Sequence, residues 1–411
     1  MSFSKLIRIY YNKTIDSIAF YPAIIAIGFL GLSWGMLEFD FSENGKHIKS
    51  NLNWLSLKDA GTARTIISTV AGAIISLTVF SFSMVMIVLN QAASQMSNRV
   101  LKSMIENRFQ QVILGIYIGT VVYALFLLST IRDISSGVYV PALSIYFLIL
   151  LTVVDLFLFI YFLNYVTQTV KYETVIDRVR LQTYKTMERY FEEIQPVFPS
   201  WLQENSTIIP AQKSDYFQGF NAKRLLEITE NHDVQIQFLF PAGQFILEGT
   251  PCMKVFGKEK KTPKLLKEIA DCADFFTGQP IDRNADYGFR HLAEIAIKAL
   301  SPGINDPGTA ILALHALFAL FDHRKYHQLP EAILNNKNET VIFSKTSTFE
   351  KLFDQCLEPI WNYGKDDEYI QKTFLQMLSQ LRDKDYKQLY LSLFEAWILK
   401  VTSYQMKSAN V

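Results

Sequence analysis

In the run LTVVDLFLFIYF an aspartate, Asp155, stands among Leu, Val, Ile and Phe. A charged Asp at the centre of a membrane helix costs about 2.5–3.5 kcal/mol on insertion scales. Each central Leu, Ile, Phe or Val returns about 0.3–0.6 kcal/mol. The neighbours offset the cost, but contact with lipid would waste it, so Asp155 is expected to face the inside of a helix bundle. Two states remain open. Asp155 is either protonated and hydrogen-bonded to a Ser or Thr of another segment, or ionised and wet in a pathway that attracts cations. The segment TIISTVAGAIISLTVFSFSMVMIVL supplies such partners: Ser68, Thr69, Ser76, Thr78, Ser81 and Ser83. Within it Ser68, Gly72 and Ser76 form a small-xxx-small stripe, which lets helices approach closely. The candidate intramembrane set is therefore Asp155, Ser68, Ser76, Ser81 and Ser83.

The second polar constellation surrounds ALSPGINDPGTAI, from Ala299 to Ile311. Phe289, Leu292, Ile295, Ala296 and Ala299 form an apolar helix face upstream. Ser301-Pro302-Gly303 ends that helix, because proline lacks a donor and glycine tolerates left-handed geometry. Asp306-Pro307 then has the form of an N-cap followed by proline in the first helical position. The stretch reads as a rigid corner between two core helices. Asn305, and the upstream cluster Asp282, Arg283, Asp286 and Arg290, fall outside that account. A second reading adds a polar site there, for a cation, an anionic ligand or a neighbouring subunit.

Other patterns fail as chemistry. GTPCMKVFGKEKKT places Gly249 and Gly257 too far apart for a phosphate loop, and Glu259 follows Lys258. Neither a GxSxG elbow nor an HExxH pair is present. His323 and His327 stand at i and i+4, a spacing that can hold a metal, but they close a helix whose dipole favours histidine there. The lysines at 258, 260, 261, 264 and 267 are diluted by Glu259 and Glu268 and read as a solvated face rather than a lipid-headgroup patch. Cys252, Cys272 and Cys356 form no CxxC pair and suit a reducing compartment. No enzymatic activity, cofactor or metal is expected.

These residues must be positioned by two different kinds of chain. Of 411 residues, 50% are hydrophobic and 19% charged, too apolar for an ordinary soluble protein and too charged for a pure membrane bundle. A net charge of +1 gives no case for a nucleic-acid partner. Four apolar segments are long enough to cross a bilayer, which takes about 20 residues: Ile18 to Leu37, Thr65 to Leu89, Val112 to Ile131 and Pro141 to Leu163. The first is too long, and too bulky at Trp34 and Met36, for a cleavable signal peptide. Cations cluster before the first span (Lys5, Arg8, Lys13), after the second (Arg99, Lys102, Arg108) and after the fourth (Lys171, Arg178, Arg180, Lys185). The first loop mixes Lys46, Lys49, Lys58 and Arg64 with Glu38, Asp40, Glu43 and Asp59. That bias predicts both termini in the cytoplasm.

Helical periodicity continues past the second span to Ile105 and past the fourth to Ile194. A helix from Ala142 to Ile194 would be roughly 80 Å long, a stalk, with helices lying on the lipid surface as the alternative. Beyond the linker 196–212, DVQIQFLF, the turn PAGQ and FILEGTPCMKVFG read as a β-hairpin or part of a small barrel. Helices are expected near Lys264–Phe276, Tyr287–Leu300, Pro307–Asp322, Lys351–Asn362, Tyr369–Leu381 and Tyr386–Ser403. The predicted fold is an α-helical membrane bundle of four transmembrane helices (1–168), a stalk helix and linker (169–196), and a mainly α, α+β cytoplasmic domain (197–411).

The run ADYGFRHLAEIAIKALSPGINDPGTA, Ala285 to Ala310, resembles the ALSP-x-x-NDP-x-TA signature of a bacterial family of predicted membrane proteins, domain of unknown function 2254. The second span with its exit, and PAGQFILEGTPCMKV, are similar to the same family, so the likeness covers nearly the whole chain. Where members often carry a His pair near the inner end of the fourth span, this chain has Asn164 and Tyr165. The resemblance implies a bacterial inner-membrane protein and assigns no activity. Two function classes fit the residues: an oligomeric channel or transporter-like protein regulated by its cytoplasmic domain, or a membrane-anchored scaffold or sensor whose soluble domain binds a protein or small ligand. A plain anchor needs one span and no mid-bilayer carboxylate, which favours the first. The expected partners are the lipid bilayer and further copies of the chain.

Overall fold

A computed structural model describes residues 19–51, 57, 59–95, 108–134, 137–169, 171–193, 206–257, 261–335 and 337–408. Lys5, Arg8, Lys13, Lys58, Arg99, Lys102 and the lysines at 258 and 260 lie outside the described residues. The chain separates into two compact units, Met1–Lys171 and Tyr172–Val411.

The first unit contains α1 (Phe20–Phe41), α2 (Glu43–Asn51), α3 (Ala60–Gln95), α4 (Arg108–Thr130), a hairpin of β1 (Arg132–Ile134) and β2 (Gly137–Tyr139), and α5 (Ala142–Thr169). α1, α3, α4 and α5 are each long and apolar enough to cross a membrane and fall on the four expected spans. α4 is the central helix: it packs against α1, α3 and α5. The outward faces stay apolar, with Ile27 and Phe157 each 70% exposed. Such faces suit hydrocarbon, where the helix bonds its own backbone.

Gly115 and Gly119 of α4 let α1 approach closely. A Cβ at Gly115 would lie 2.7 Å from Ile25 Cδ1 and 3.1 Å from Pro22 Cα; one at Gly119 would lie 2.6 Å from Phe29 Cγ. The stripe Ser68-Gly72-Ser76 behaves differently. It faces outward, with Ser68 and Ser76 exposed and nothing within 4 Å of a Cβ at Gly72. A row of small residues marks a flat face but cannot name its partner.

At one end of the bundle a charge pair joins distant segments. Asp40 is 0% exposed; its Oδ1 meets Lys49 Nζ at 2.7 Å and its Oδ2 accepts the Ser144 backbone N–H at 2.8 Å. The Ser144 hydroxyl donates to the Met36 carbonyl, and the Tyr123 hydroxyl donates to the Ser144 carbonyl. Asp40 thus satisfies a free donor in the first turn of α5, where the helix dipole favours a carboxylate.

The helix α3 continues past Leu89 as far as Gln95; the rest of its expected extension, 96–107, lies outside the described residues. The expected single helix from Ala142 to Ile194 is corrected. α5 ends at Thr169, and a new helix, α6 (Tyr172–Tyr190), belongs to the second unit. Its apolar stripe, Val175, Ile176, Val179 and Met187, is buried against α9 (Asp286–Ala299) and α10 (Pro307–Arg324). Periodicity through this region requires helix but does not require one continuous helix.

The rest of the second unit has a sheet part and a helical part. Strands β3 (Glu192–Glu193), β4 (Ser206–Pro210), β5 (Asp215–Phe220), β6 (Gln235–Phe238), β7 (Phe245–Ile246), β8 (Pro251–Phe256), β9 (Ala273–Phe275), β10 (His327–Gln328), β11 (Ala332–Leu334) and β12 (Thr340–Ser344) follow in chain order. A five-stranded sheet has the order β11-β12-β6-β8-β4, a three-stranded sheet the order β7-β5-β9, and β10 pairs with β3. The expected pairing of DVQIQFLF with the TPCMKVFG segment exists, since β6 and β8 are antiparallel with Gln235 opposite Phe256. It is no tight hairpin: the PAGQ connection carries β7, which leaves to pair with β5. β12 adds to β6 in parallel, a contact between segments far apart in sequence. Helices α7 (Ala222–His232) and α8 (Pro263–Ala270) start at the N-caps Asn221 and Thr262 and bury Leu225, Ile228, Leu265 and Ile269 against these strands. The segment expected to be helical to Phe276 stops at Ala270 and becomes β9.

The helical part comprises α6, α9, α10, α11 (Phe349–Gly364), α12 (Glu368–Asp383) and α13 (Leu391–Ser408). Its core is aromatic: Phe289 meets Phe321 at 4.8 Å, Phe321 meets Phe353 at 4.8 Å, and Phe374 stacks on Trp397 at 6.1 Å. Between α9 and α10 the corner forms as the sequence specifies. Asp306 caps α10, accepting the Thr309 N–H at 3.1 Å and the Thr309 hydroxyl at 2.5 Å; caps of this kind contribute about 0.5–2 kcal/mol. The Asp306 and Asn305 N–H groups return to the Ala299 and Ser301 carbonyls. Asn305 has φ +50°, the left-handed conformation that Asn tolerates better than most residues. That accounts for the polar residue the cap left over.

Candidate functional site

Leu148, Asp155 and Phe162 recur every seven residues on α5, and all three are 0% exposed. This spacing turns Asp155 inward. Ser81 of α3 and Tyr117 and Thr120 of α4, a turn apart, are equally buried. The Asp155 carboxylate neighbours the Thr120 hydroxyl, and Tyr117 lies in the field of Asp155 with Ser81 beside its own hydroxyl. None of these groups closes a hydrogen bond of normal geometry: both Asp155 oxygens, Thr120 Oγ1, Tyr117 Oη and Ser81 Oγ are buried and unsatisfied. A buried polar group left unpaired costs about 1–3 kcal/mol, and a charged one more. Such atoms gathered from three helices form a site that would bind a proton or a small cation favourably.

Ser81 is the expected serine that joins Asp155. Ser68, Ser76 and Ser83 do not. All three are exposed, and their hydroxyls donate to carbonyls of their own helix, at Thr65 (3.1 Å), Gly72 (3.0 Å) and Val79 (2.9 Å). Tyr117 and Thr120 were not singled out from the sequence. The signal available was a Tyr and a Thr at i and i+3 inside LGIYIGTVVY, which counts only once α5 is known to face that side.

The second constellation is not one cluster. Asp286 opens α9 and the corner follows its end, so the helix holds Asp286 and the Asn305–Asp306 corner about 20 Å apart. Asp282 is exposed. Arg283 meets Asp274 at 3.7 Å and lies over the Phe276 ring, and Arg290 lies over Tyr287 at 5.9 Å. Asp286 is only 5% exposed; burial pushes its carboxyl pKa up, while Arg324 and Arg290 pull it back. Arg283 and Asp286 both line a cavity of about 390 Å³ at the junction of the sheets and α9. His323 and His327 stack on each other at 4.5 Å, and His327 Nδ1 lies 2.8 Å from the His323 carbonyl. Burial, then His327, pushes the His323 pKa down.

The family described as predicted membrane protein (DUF2254) matches residues 15–380. The chain belongs to this family. Among curated proteins it is similar to uncharacterised proteins of Mycobacterium bovis and Mycobacterium tuberculosis, each 24% identical over 337 residues, covering 78% of this chain and 63% of the relative. The chain thus spans about 63% of the length of these curated relatives. No solved structure matches it. In this DUF2254 chain the matched region contains all four candidate spans, the Asp155 cluster and the corner.

Proposed function

We propose that this protein is an oligomeric channel or transporter-like protein of the bacterial inner membrane, in which Asp155 binds a proton or small cation on its way through the bundle. The observation that supports this reading is the unsatisfied polar cluster of Ser81, Tyr117, Thr120 and Asp155 on α3, α4 and α5. Intramembrane carboxylates that face a bundle interior mark ion pathways and proton relays. The reading involves no enzymatic step and no cofactor. It has both termini, and with them the second unit, in the cytoplasm, where that unit regulates the bundle. A second reading, a membrane-held sensor, is favoured by the cavity beside Asp286.

The test is flux through liposomes that hold the full chain, read with a trapped pH dye and with potassium- and sodium-sensitive dyes. Asp155→Asn keeps the size and hydrogen-bonding capacity of the side chain and is expected to insert normally while losing at least about tenfold in flux, the scale of one lost charge interaction. Asp155→Asn protein that conducts like the parent would remove Asp155 from the pathway. The orientation is read by an impermeant thiol reagent on a Ser206→Cys variant in intact inner-membrane vesicles of both senses. Labelling only from the periplasmic side would reverse it.

A further inference from the structure

The cavity beside Asp286 has a chemistry that the intramembrane site does not use. It lies wholly within the second unit and holds about 390 Å³, inside the range of about 300–1,000 Å³ typical of small-molecule sites. Part of the lining is apolar: Phe220, stacked on Phe238 at 4.3 Å with planes 6° apart, with Pro330 and Ile333. The stack fixes Phe220 as a flat wall. Asp286 stands in the interior with the Ser347 hydroxyl beside it. Arg283 and Lys345 are exposed lining residues; Arg283 meets Asp274 at 3.7 Å and lies over the Phe276 ring at 5.3 Å, and Lys345 enters no ion pair among the described residues. The lining charges are thus two exposed cations and one buried carboxylate.

The scaffold around the cavity is rigid. Gln218 donates to the Phe276 and Gly278 carbonyls at 2.9 Å each and accepts from the Tyr287 hydroxyl at 2.8 Å. Asn284 donates to the Ala242 carbonyl and accepts the Asp286 N–H. A register shift in β5 between Phe217 and Phe220, with Gly219 at φ +111°, turns the strand at the cavity wall. Bulges often re-aim side chains beside sites in this way.

We propose that this cavity binds a nucleoside monophosphate, with the flat base against Phe220, an N–H edge of the base donating to Asp286, and the phosphate between Arg283 and Lys345. A flat heterocycle suits an aromatic wall. A carboxylate accepts hydrogen bonds and selects ligands that carry N–H donors. Exposed arginine and lysine suit a phosphate. A plain inorganic anion would leave the aromatic wall and Asp286 unused, and a neutral nucleoside would leave the two cations unused. This proposal stands apart from the Asp155 reading, since either site can exist without the other.

Isothermal titration calorimetry of the full chain in nanodiscs, with GMP, AMP, guanosine and inorganic phosphate as separate titrants, tests it. At least one nucleotide is expected to bind tenfold or more tightly than both guanosine and phosphate. Lys345→Glu, an exposed position whose change leaves the core intact, is expected to weaken nucleotide binding at least tenfold. Asp286→Asn, checked for a native melting profile, is expected to do the same without changing phosphate binding. Phosphate binding as tightly as the nucleotides would reduce the cavity to a general anion site and overturn the proposal. So would nucleotide affinity unchanged in Lys345→Glu, or the absence of heat from every titrant.

Discussion

Arg324→Leu is expected to destabilise the second unit by about 3–5 kcal/mol, the cost of removing one partner from a buried charged group. Arg324, the last residue of α10, is 2% exposed. Its guanidinium donates to the His327 and Ser347 carbonyls and covers the Phe191 ring at 5.1 Å. It also lies in the field of Asp286 and offsets that buried carboxylate. Leucine would remove the guanidinium donors from both carbonyls and leave Asp286 with Arg290 and the Ser347 hydroxyl. Chemical unfolding of the full chain in detergent, followed by tryptophan fluorescence, measures the loss.

The loss should depend on pH with a definite sign. Burial holds the folded Asp286 pKa above its unfolded value, and removing Arg324 raises it further. A carboxyl raised in this way gives stability that is fully present below the unfolded pKa and lost as pH rises through the folded one. The gap between Arg324→Leu and the parent should therefore narrow on acidification and widen toward neutral pH. A gap that stays constant would assign the cost to the two carbonyls rather than to Asp286.

Gly288→Ala is the second large effect. A Cβ built at Gly288 lies 1.7 Å from Thr183 Oγ1, 2.8 Å from its Cβ and 2.9 Å from its Cγ2. Rotating the threonine frees its hydroxyl but not its Cβ, so α6 must move away from α9. Overpacking of this kind costs about 1–3 kcal/mol, and sometimes more. The geometry also predicts the rescue. Thr183→Ala keeps the offending Cβ and should restore little. Thr183→Gly removes it and should recover most of the loss, apart from roughly 1 kcal/mol for glycine in a helix. Equal rescue by both would mean that the Cβ contact is not what limits the packing. The pair also reports on α6, since a free stalk would tolerate Gly288→Ala without change.

The sequence by itself determined the long helices, though not where each of them stops nor most of the strands. Uninterrupted apolar runs required four membrane-length helices, and Asp306-Pro307 required a helix start, because these signals depend on residues next to one another. The N-cap at Asp306 and the helices beginning near Asp286 and Pro307 could be read residue by residue. The insertion cost of a mid-span carboxylate even turned Asp155 toward the bundle interior, where it is buried.

Partners were decided by the tertiary structure. Small residues appear both at Ser68-Gly72-Ser76 and at Gly115-xxx-Gly119, yet only the second row meets another helix, through Pro22, Ile25 and Phe29. Asp40 and Lys49 look like opposing loop charges until Ser144, 104 residues away from Asp40, supplies the N–H that binds them to α5. Tyr117 and Thr120 gain meaning only when α4 turns them toward Asp155, and α6 looks like a stalk until Thr183 is seen against Gly288. In each case the local pattern states that a face is small, charged or apolar. Which distant face covers it follows from shape and desolvation across the packed unit, and those are properties of residues brought together only by folding.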